Sequence, residues 1–226
     1  MNGILVINTN NSLSQNSRDS ISDAARRWGA DYTEVTNYPY KYHPASLKLK
    51  AFDICSSYDR ILVLDSDTII RSDAPNIFEV ASSPEIYYAI KNTQPSDPPV
   101  YQEAGKIISR KEINSIVSVG KILPPELDLD KVVKSLFNSG VTVITRPLHE
   151  PILAYAFYLF CGSPLNWWDQ VPINLAVFSI LGGYEDLGQR WNRQFPVHTK
   201  HMDAYIYHYA GNPERYEILK HVNWRA

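Results

Sequence analysis

Two carboxylates, two residues apart, close an apolar run in the segment Tyr58-Asp59-Arg60-Ile61-Leu62-Val63-Leu64-Asp65-Ser66-Asp67-Thr68. Ile61 to Leu64 is apolar on both faces, as a central parallel strand must be. The carboxyl ends of such strands are where ligands bind in open α/β sheets. Residues two apart at a strand end point the same way, so Asp65 and Asp67 can address one point in space. Paired carboxylates with substrate phosphates form the usual protein share of a Mg2+ or Mn2+ site. The plainer alternative is a pair of turn or N-cap aspartates at a solvated strand end, against which the preceding apolar run weighs.

Holding that pair in place requires a sheet, and the chain supplies one by alternation. Ile4 to Ile7 is a buried strand that runs into the turn-rich Asn8-Thr9-Asn10-Asn11-Ser12. Ile21, Ala24, Ala25 and Trp28 recur at helical spacing, with Asn16 as N-cap and Gly29 as stop. A strand at Tyr32–Val35, a loop with Pro39 and Pro44, a helix over Leu47–Cys55 and the strand from Arg60 to Leu64 continue the pattern. Tyr87–Ile90 reads as a strand, Thr93–Pro99 as a proline-rich loop and Glu112–Val119 as a helix within the mixed stretch from Glu103 to Asp130. Further on come a β-branched strand at Val141–Ile144 and a largely apolar helix from His149 to Cys161. A helix from Asp169 to Leu181 stops at Gly182-Gly183, a short strand covers Ile206–Tyr209, and Asn212-Pro213 caps a final helix. Strand and helix in alternation predict a doubly wound α/β sheet.

Composition narrows the partners. The 226 residues carry 22 basic and 24 acidic side chains, a balance that argues against a dedicated nucleic-acid binder. A chain of this length buries roughly 70% of its unfolded surface, enough for a core without staples. Two cysteines, Cys55 and Cys161, are too few for a disulfide framework and fit a reducing compartment. No targeting segment is legible at the N-terminus. The longest apolar stretch, Ile152 to Cys161, is ten residues, against the roughly 20 that span a bilayer. The reading is a cytoplasmic protein with no transmembrane segment. Tyrosine and tryptophan, at 15 and 5, outnumber the 7 phenylalanines, which suits wet, adhesive surfaces.

Several motifs in order along the chain resemble the GT-A-fold glycosyltransferases of the glycogenin and lipopolysaccharide galactosyltransferase-like family. They are Lys48-Leu49 with Tyr58 to Asp67, Phe137-Asn138-Ser139-Gly140-Val141, Asp169-Gln170 with Asn174, Arg190-Trp191-Asn192, and His208-Tyr209-Ala210-Gly211. The resemblance implies one glycosyltransferase domain over 1–226, with a Rossmann-like, mixed but mostly parallel sheet flanked by helices. The nucleotide-binding part would cover about 1–90, and acceptor-side and closing elements about 91–226.

It also implies a chemistry: transfer of a hexose from a nucleotide-diphosphate sugar, UDP-glucose or UDP-galactose, to a glycan or other hydroxyl acceptor, with retention of configuration. Asp65, Asp67 and His208 would hold a divalent ion that neutralises the leaving diphosphate, and a nitrogen ligand suits Mn2+ better than Mg2+. Asp169 and Gln170 would lie beneath the anomeric carbon, although Asp169 is equally suited to capping its helix. Thr9, Asn10, Lys48, Ser66 and Asn138 are the candidate donor contacts. Gly211 would let backbone approach the diphosphate, and Arg215 would replace the lysine with which the family closes. Trp167 and Trp168 are candidates for stacking on a sugar ring.

Two alternatives remain open on the sequence. Asp65-Ser66-Asp67-Thr68 also resembles the haloacid dehalogenase-like phosphatases, with Asp65 as nucleophile and Glu185-Asp186 as the nearest later acidic pair. The other is a carbohydrate-binding protein of the same fold without turnover.

Overall fold

The structure is a computed structural model that describes the chain apart from residues 10–12, 38–42, 93–98, 162–168, 195–203, 211–219 and 226, and apart from the side chains of 99–106 and 108. The first βαβ unit runs β1 (Asn2–Ile7), α1 (Gln15–Trp28), β2 (Asp31–Val35). Ser14, not Asn16, is the cap of α1: its side chain accepts from Ser17 N, and Gly29 closes the helix in the left-handed region at φ 60°. Asn16 faces the C-terminal segment instead, accepting from Trp224 Nε1 and donating to Val222 O. The expected helix over Leu47–Cys55 forms as a 3-10 helix (Pro44–Lys50) running into the short α2 (Ala51–Ile54).

β3 (Arg60–Asp65) follows, then β4 (Thr68–Ile70), α3 (Ile77–Val80) and β5 (Tyr88–Lys91). α4 (Pro99–Ser118) is longer than the Glu112–Val119 helix the sequence predicts. Its buried face includes Ser109 and Glu112 beside Ile113 and Ile116, so the apolar stripe that marks an amphipathic helix is interrupted. α5 (Leu129–Lys134), capped by Asp128, leads into β6 (Phe137–Thr145), and α6 (Glu150–Phe160) and α7 (Gln170–Leu181) are the last α-helices among the described residues. β7 (Glu185–Asp186), a 3-10 turn (Gln189–Trp191), β8 (Arg193–Gln194) and β9 (Ile206–His208) end the described elements. The expected loop at Thr93–Pro99 and the helix capped by Asn212-Pro213 lie outside the described residues, except that Pro99 begins α4.

The main sheet has the order β2-β1-β3-β6-β5-β7. β1 pairs parallel with β2 and β3, and β5 parallel with β7; β6 runs antiparallel to both its neighbours. The sheet is therefore mixed but mostly parallel. Apolar strands buried on both faces fill two layers. Leu5, Ile61 and Val63 pack with Ile152, Ala156, Ile173 and Val177 of α6 and α7 on one side. Ile4, Val6, Leu62 and Leu64 pack with Ile21, Ala24 and Trp28 of α1 on the other. Each such side chain contributes about 1.5–3 kcal/mol when fully buried. The continuous apolar run before Asp65 is thus explained: neither face of β3 meets water.

A smaller sheet, β4-β9-β8, lies beyond the end of β3. Thr68 is paired with His208 across it, so the same tight turn that carries the two aspartates also receives the late histidine.

Candidate functional site

Asp65 is the last residue of β3, and Thr68 Oγ1 donates to its carbonyl at 2.8 Å, closing the turn over Ser66 and Asp67. Tyr209 N donates to Asp67 O at 3.0 Å, which fixes the turn against β9. His208 Nε2 consequently stands 3.1 Å from Asp67 Oδ1 and 3.4 Å from Asp65 Oδ2. One ligand atom from each of the three residues lies within 4.8 Å of the others. Two carboxylate oxygens and an imidazole nitrogen converging this way are a donor set for a divalent cation.

The electrostatics say the same. Burial would lower the His208 imidazole, but Asp67 and Asp65 outweigh it and push it up to about 9. Protonated, the ring supplies a positive charge facing the two acids. Burial would raise Asp65, yet Lys48 and His208 hold it well below the usual carboxylate range.

Lys48 comes from the Pro44–Lys50 turn and is 8% exposed. Its Nζ forms an ion pair with Asp65, approaches Asp169 Oδ2 at 3.3 Å and reaches Ser139 O at 3.5 Å. Burial works against its charge, but Asp169 and Asp65 keep the ammonium above its ordinary value. Asp169 holds the N-cap position of α7 without making a side-chain cap hydrogen bond; its carboxylate is turned to Lys48. Burial, opposed by Lys48 and helped by the Asp65 charge, leaves Asp169 above its usual value. Glu112 on α4 lies in the same field: burial, then Asp169, push it up to about 8, and its Oε1 has no hydrogen-bond partner.

A second set of groups joins β6 to α7. Asn138 Nδ2 donates to Gln170 Oε1 at 3.3 Å, and Asn138 Oδ1 accepts from Gly140 N at 2.9 Å. Asn174, fully buried, pairs with both backbone groups of Phe137: Oδ1 accepts from the N–H at 2.9 Å and Nδ2 donates to the carbonyl at 3.0 Å. That pairing imitates a strand partner and sets the start of α7 beside β6.

The structure therefore brings Asp65, Asp67, His208, Lys48, Asp169, Asn138 and Gln170 into one neighbourhood. Ser66 is half-buried in the turn between the acids, and Thr9 is half-buried just beyond β1, whose Ile7 is paired with Asp65. Asn10, Gly211, Arg215, Trp167 and Trp168 lie outside the described residues. Two residues at the centre enter the sequence reading only as members of motifs. Gly140 has no room for a side chain, since a Cβ would lie 2.3 Å from His208 Cε1 and 2.6 Å from Asp65 Oδ2. Asn192, fully buried, faces His208 Nδ1 through Oδ1 at 2.9 Å and donates from Nδ2 to Asn138 Oδ1 at 2.9 Å. Their positions beside Trp191 and Asn138 are the signal that would have found them.

With five of six strands aligned and Asp65, Asp67 and His208 gathered at the end of β3, the chain has a GT-A-type fold. No family model matches the sequence, and no curated protein matches it. Solved structures do. A glycosyltransferase involved in glycosylation of the major capsid protein of PBCV-1 superposes with a TM-score of 0.67 at 17% identity, over 98% of this chain and 99% of that one. The galactosyltransferase LgtC, solved with donor and acceptor sugar analogues, gives 0.53 at 15% identity over 97% and 95%. GlyE of Streptococcus pneumoniae gives 0.56 at 14% identity, over 99% of this chain and 61% of that one.

Proposed function

We propose that this chain is a metal-dependent glycosyltransferase, using a nucleotide-diphosphate hexose such as UDP-glucose or UDP-galactose and a glycan or other hydroxyl acceptor. The carrying observation is the convergence of Asp65, Asp67 and His208 at the end of β3 within a GT-A-type fold. The donor set fits a cation, because two carboxylate oxygens and one imidazole nitrogen lie within 4.8 Å of one another. Asp65, Asp67 and His208 would hold Mn2+, or Mg2+ less well given the nitrogen ligand. Once bound, the ion supplies Lewis-acid neutralisation of the departing diphosphate.

The remaining roles belong to the chain's own side chains. Lys48 keeps Asp65 ionised and Asp169 turned away from its helix end. Asp169 and Gln170 orient the donor hexose beneath its anomeric carbon, in a transfer that retains configuration, and Asn138 sets the orientation of Gln170. Thr9, Asn10, Ser66, Gly211 and Arg215 are assigned to the nucleotide and diphosphate. Neither Cys55 nor Cys161 is in a disulfide, in keeping with a cytoplasmic location, and among the described residues no helix is long and apolar enough to cross a membrane.

The phosphohydrolase alternative needs a later acidic pair beside Asp65. Glu185 and Asp186 sit on β7, separated from β3 by β6 and β5, so no observation favours it. The deciding experiment titrates wild-type protein and the Asp65→Ala/Asp67→Ala variant with UDP-sugars, with and without Mn2+, and then assays donor turnover. Mn2+-dependent binding and turnover, lost in the variant, are expected. Unchanged UDP-sugar affinity in the variant overturns the metal bridge. Phosphorylation of Asp65, trapped by beryllium fluoride, would install the phosphohydrolase, and binding without turnover the carbohydrate-binding protein.

A further inference from the structure

The direction of the hydrogen bond at His208 Nδ1 follows from one backbone group. Gly140 N–H can only donate, so the Asn138 atom that meets it at 2.9 Å is the carbonyl oxygen Oδ1. The Asn192 atom that faces this same oxygen at 2.9 Å must then be the amide nitrogen Nδ2. What Asn192 has left is Oδ1, which faces His208 Nδ1 at 2.9 Å. A carbonyl oxygen accepts only, so Nδ1 carries a hydrogen. Asn138, Asn192 and His208 are all buried, Asn192 and His208 at 0% and 1% exposure, so solvent is not available to substitute for a lost partner.

From this chain of contacts we propose that Asn192 is a positioning residue that holds the Nδ1–H of His208, so that Nε2, which faces Asp67 Oδ1 at 3.1 Å and Asp65 Oδ2 at 3.4 Å, is the ring nitrogen that gives up its hydrogen to a cation. The inference rests on reading those three residues as a cation site. A ligand imidazole binds through an unprotonated nitrogen, and which nitrogen that is depends on the hydrogen bond the other one makes. Were Asn192 apolar, the Nδ1–H would lose its acceptor and the two ring forms would compete, so a share of the protein would present N–H rather than a lone pair to the cation.

Three proteins test this: the wild type, Asn192→Leu, which removes both amide groups at similar volume, and Asn192→Asp, which keeps an acceptor for Nδ1 but cannot donate to Asn138. In wild-type protein loaded with the diamagnetic ion Mg2+, the 15N shifts of His208 should report an Nδ1–H ring with Nε2 unprotonated. Calorimetric titration with Mn2+ alone should show affinity lower by about 10- to 100-fold in Asn192→Leu and held in Asn192→Asp. An Nε2–H ring in the wild type overturns the proposal, and so does wild-type Mn2+ affinity in folded Asn192→Leu. Should Asn192→Leu fail to fold, the wild-type ring form and a retained Nδ1–H ring in Asn192→Asp still decide it. If the wild type binds no Mn2+ at all, the cation reading itself is overturned, and the inference with it; failure of the positioning role alone shows instead as equal Mn2+ binding by the wild type and Asn192→Leu.

Discussion

Gly140 stands so close to His208 that a Cβ on it would fall 2.3 Å from the ring atom Cε1. His208 and Asn138 are buried and hydrogen-bonded, so neither can swing aside as a flexible side-chain end would. Gly140→Ala is expected to displace the ring from Asp65 and Asp67, lowering Mn2+ affinity by more than tenfold on the order expected for a lost ligand. Overpacking adds a stability cost of about 1–3 kcal/mol. Calorimetry with Mn2+ and a urea melt check the two effects, and wild-type Mn2+ binding would mean that the site has slack the structure does not contain.

Lys48 is the counterion of the buried Asp169 and the half-buried Asp65. Lys48→Met keeps the length of the side chain and removes the charge, leaving Asp65 and Asp169 without it. Breaking a buried pair from one side costs about 3–5 kcal/mol. Without the ammonium both carboxylates favour their protonated forms in the folded protein, so the deficit should be largest at neutral and alkaline pH and shrink as the medium is acidified. Denaturant melts of the variant across pH measure this; a deficit independent of pH would be evidence of lost packing alone.

Proton and metal compete at His208. In the metal-free protein the ring titrates at about 9, against 6.5 for an ordinary histidine. Binding Mn2+ releases that proton, so apparent affinity should rise with pH, by up to about tenfold per pH unit for one proton released, and level off above 9. For the metal-free fold the sign is opposite. The stabilisation from the charged ring is complete below 6.5 and disappears as pH rises through 9. Mn2+ titrations at several pH values test this, and affinity that does not vary with pH would remove His208 from the ligand set.

Glu112 gives a separate pH signature. Its carboxyl is held up at about 8 by burial and by Asp169, against 4.5 ordinarily. The unfolded chain ionises first, so wild-type stability should fall between 4.5 and 8 and flatten above. Glu112→Gln cannot ionise, and at pH 8 it should exceed the wild type by about 2–4 kcal/mol, since every tenfold change in proton affinity between the folded and unfolded chains is worth about 1.4 kcal/mol. Urea midpoints for both proteins across this range provide the check.

Much of this arrangement was legible in the residues. Apolar runs at Ile4–Ile7 and Arg60–Leu64 announced strands covered on both faces, and Gly29 and Gly182 stopped α1 and α7 where left-handed backbone was needed. The convergence of Asp65, Asp67 and His208, expected from their motifs, is realised through the pairing of β4 with β9. Other features depended on packing that no local pattern records. Asn16 and Ser14 are both good caps by type, and the choice between them was made by Trp224, more than two hundred residues away. Ser109 and Glu112 concealed the inner face of α4. Asn192 reads as a turn residue in isolation, and its place between His208 and Asn138 appears only when β8 and β9 come together.

The two aspartates and the histidine belong to different slabs of the molecule. Asp65 ends a strand of the six-stranded sheet, whereas His208 sits in the three-stranded one, whose outer packing is Ile69, Tyr209 and Trp224. A bound ion would therefore tie the end of β3 to β9, beside the shared core in which Ile70 and Ile206 of the small sheet pack with Leu62 and Leu64 of the large one. Local openings that part the small sheet must break the site, while openings confined to the large sheet's distant edge need not. Amide hydrogen exchange at Thr68 and His208 should consequently slow by a factor of 1 + [Mn2+]/Kd, the opening free energy rising by RT ln(1 + [Mn2+]/Kd), with the amides of β2 unaffected. The seam between the sheets thus makes the exchange rate of a few backbone hydrogens a direct gauge of site occupancy, readable without any sugar, nucleotide or turnover.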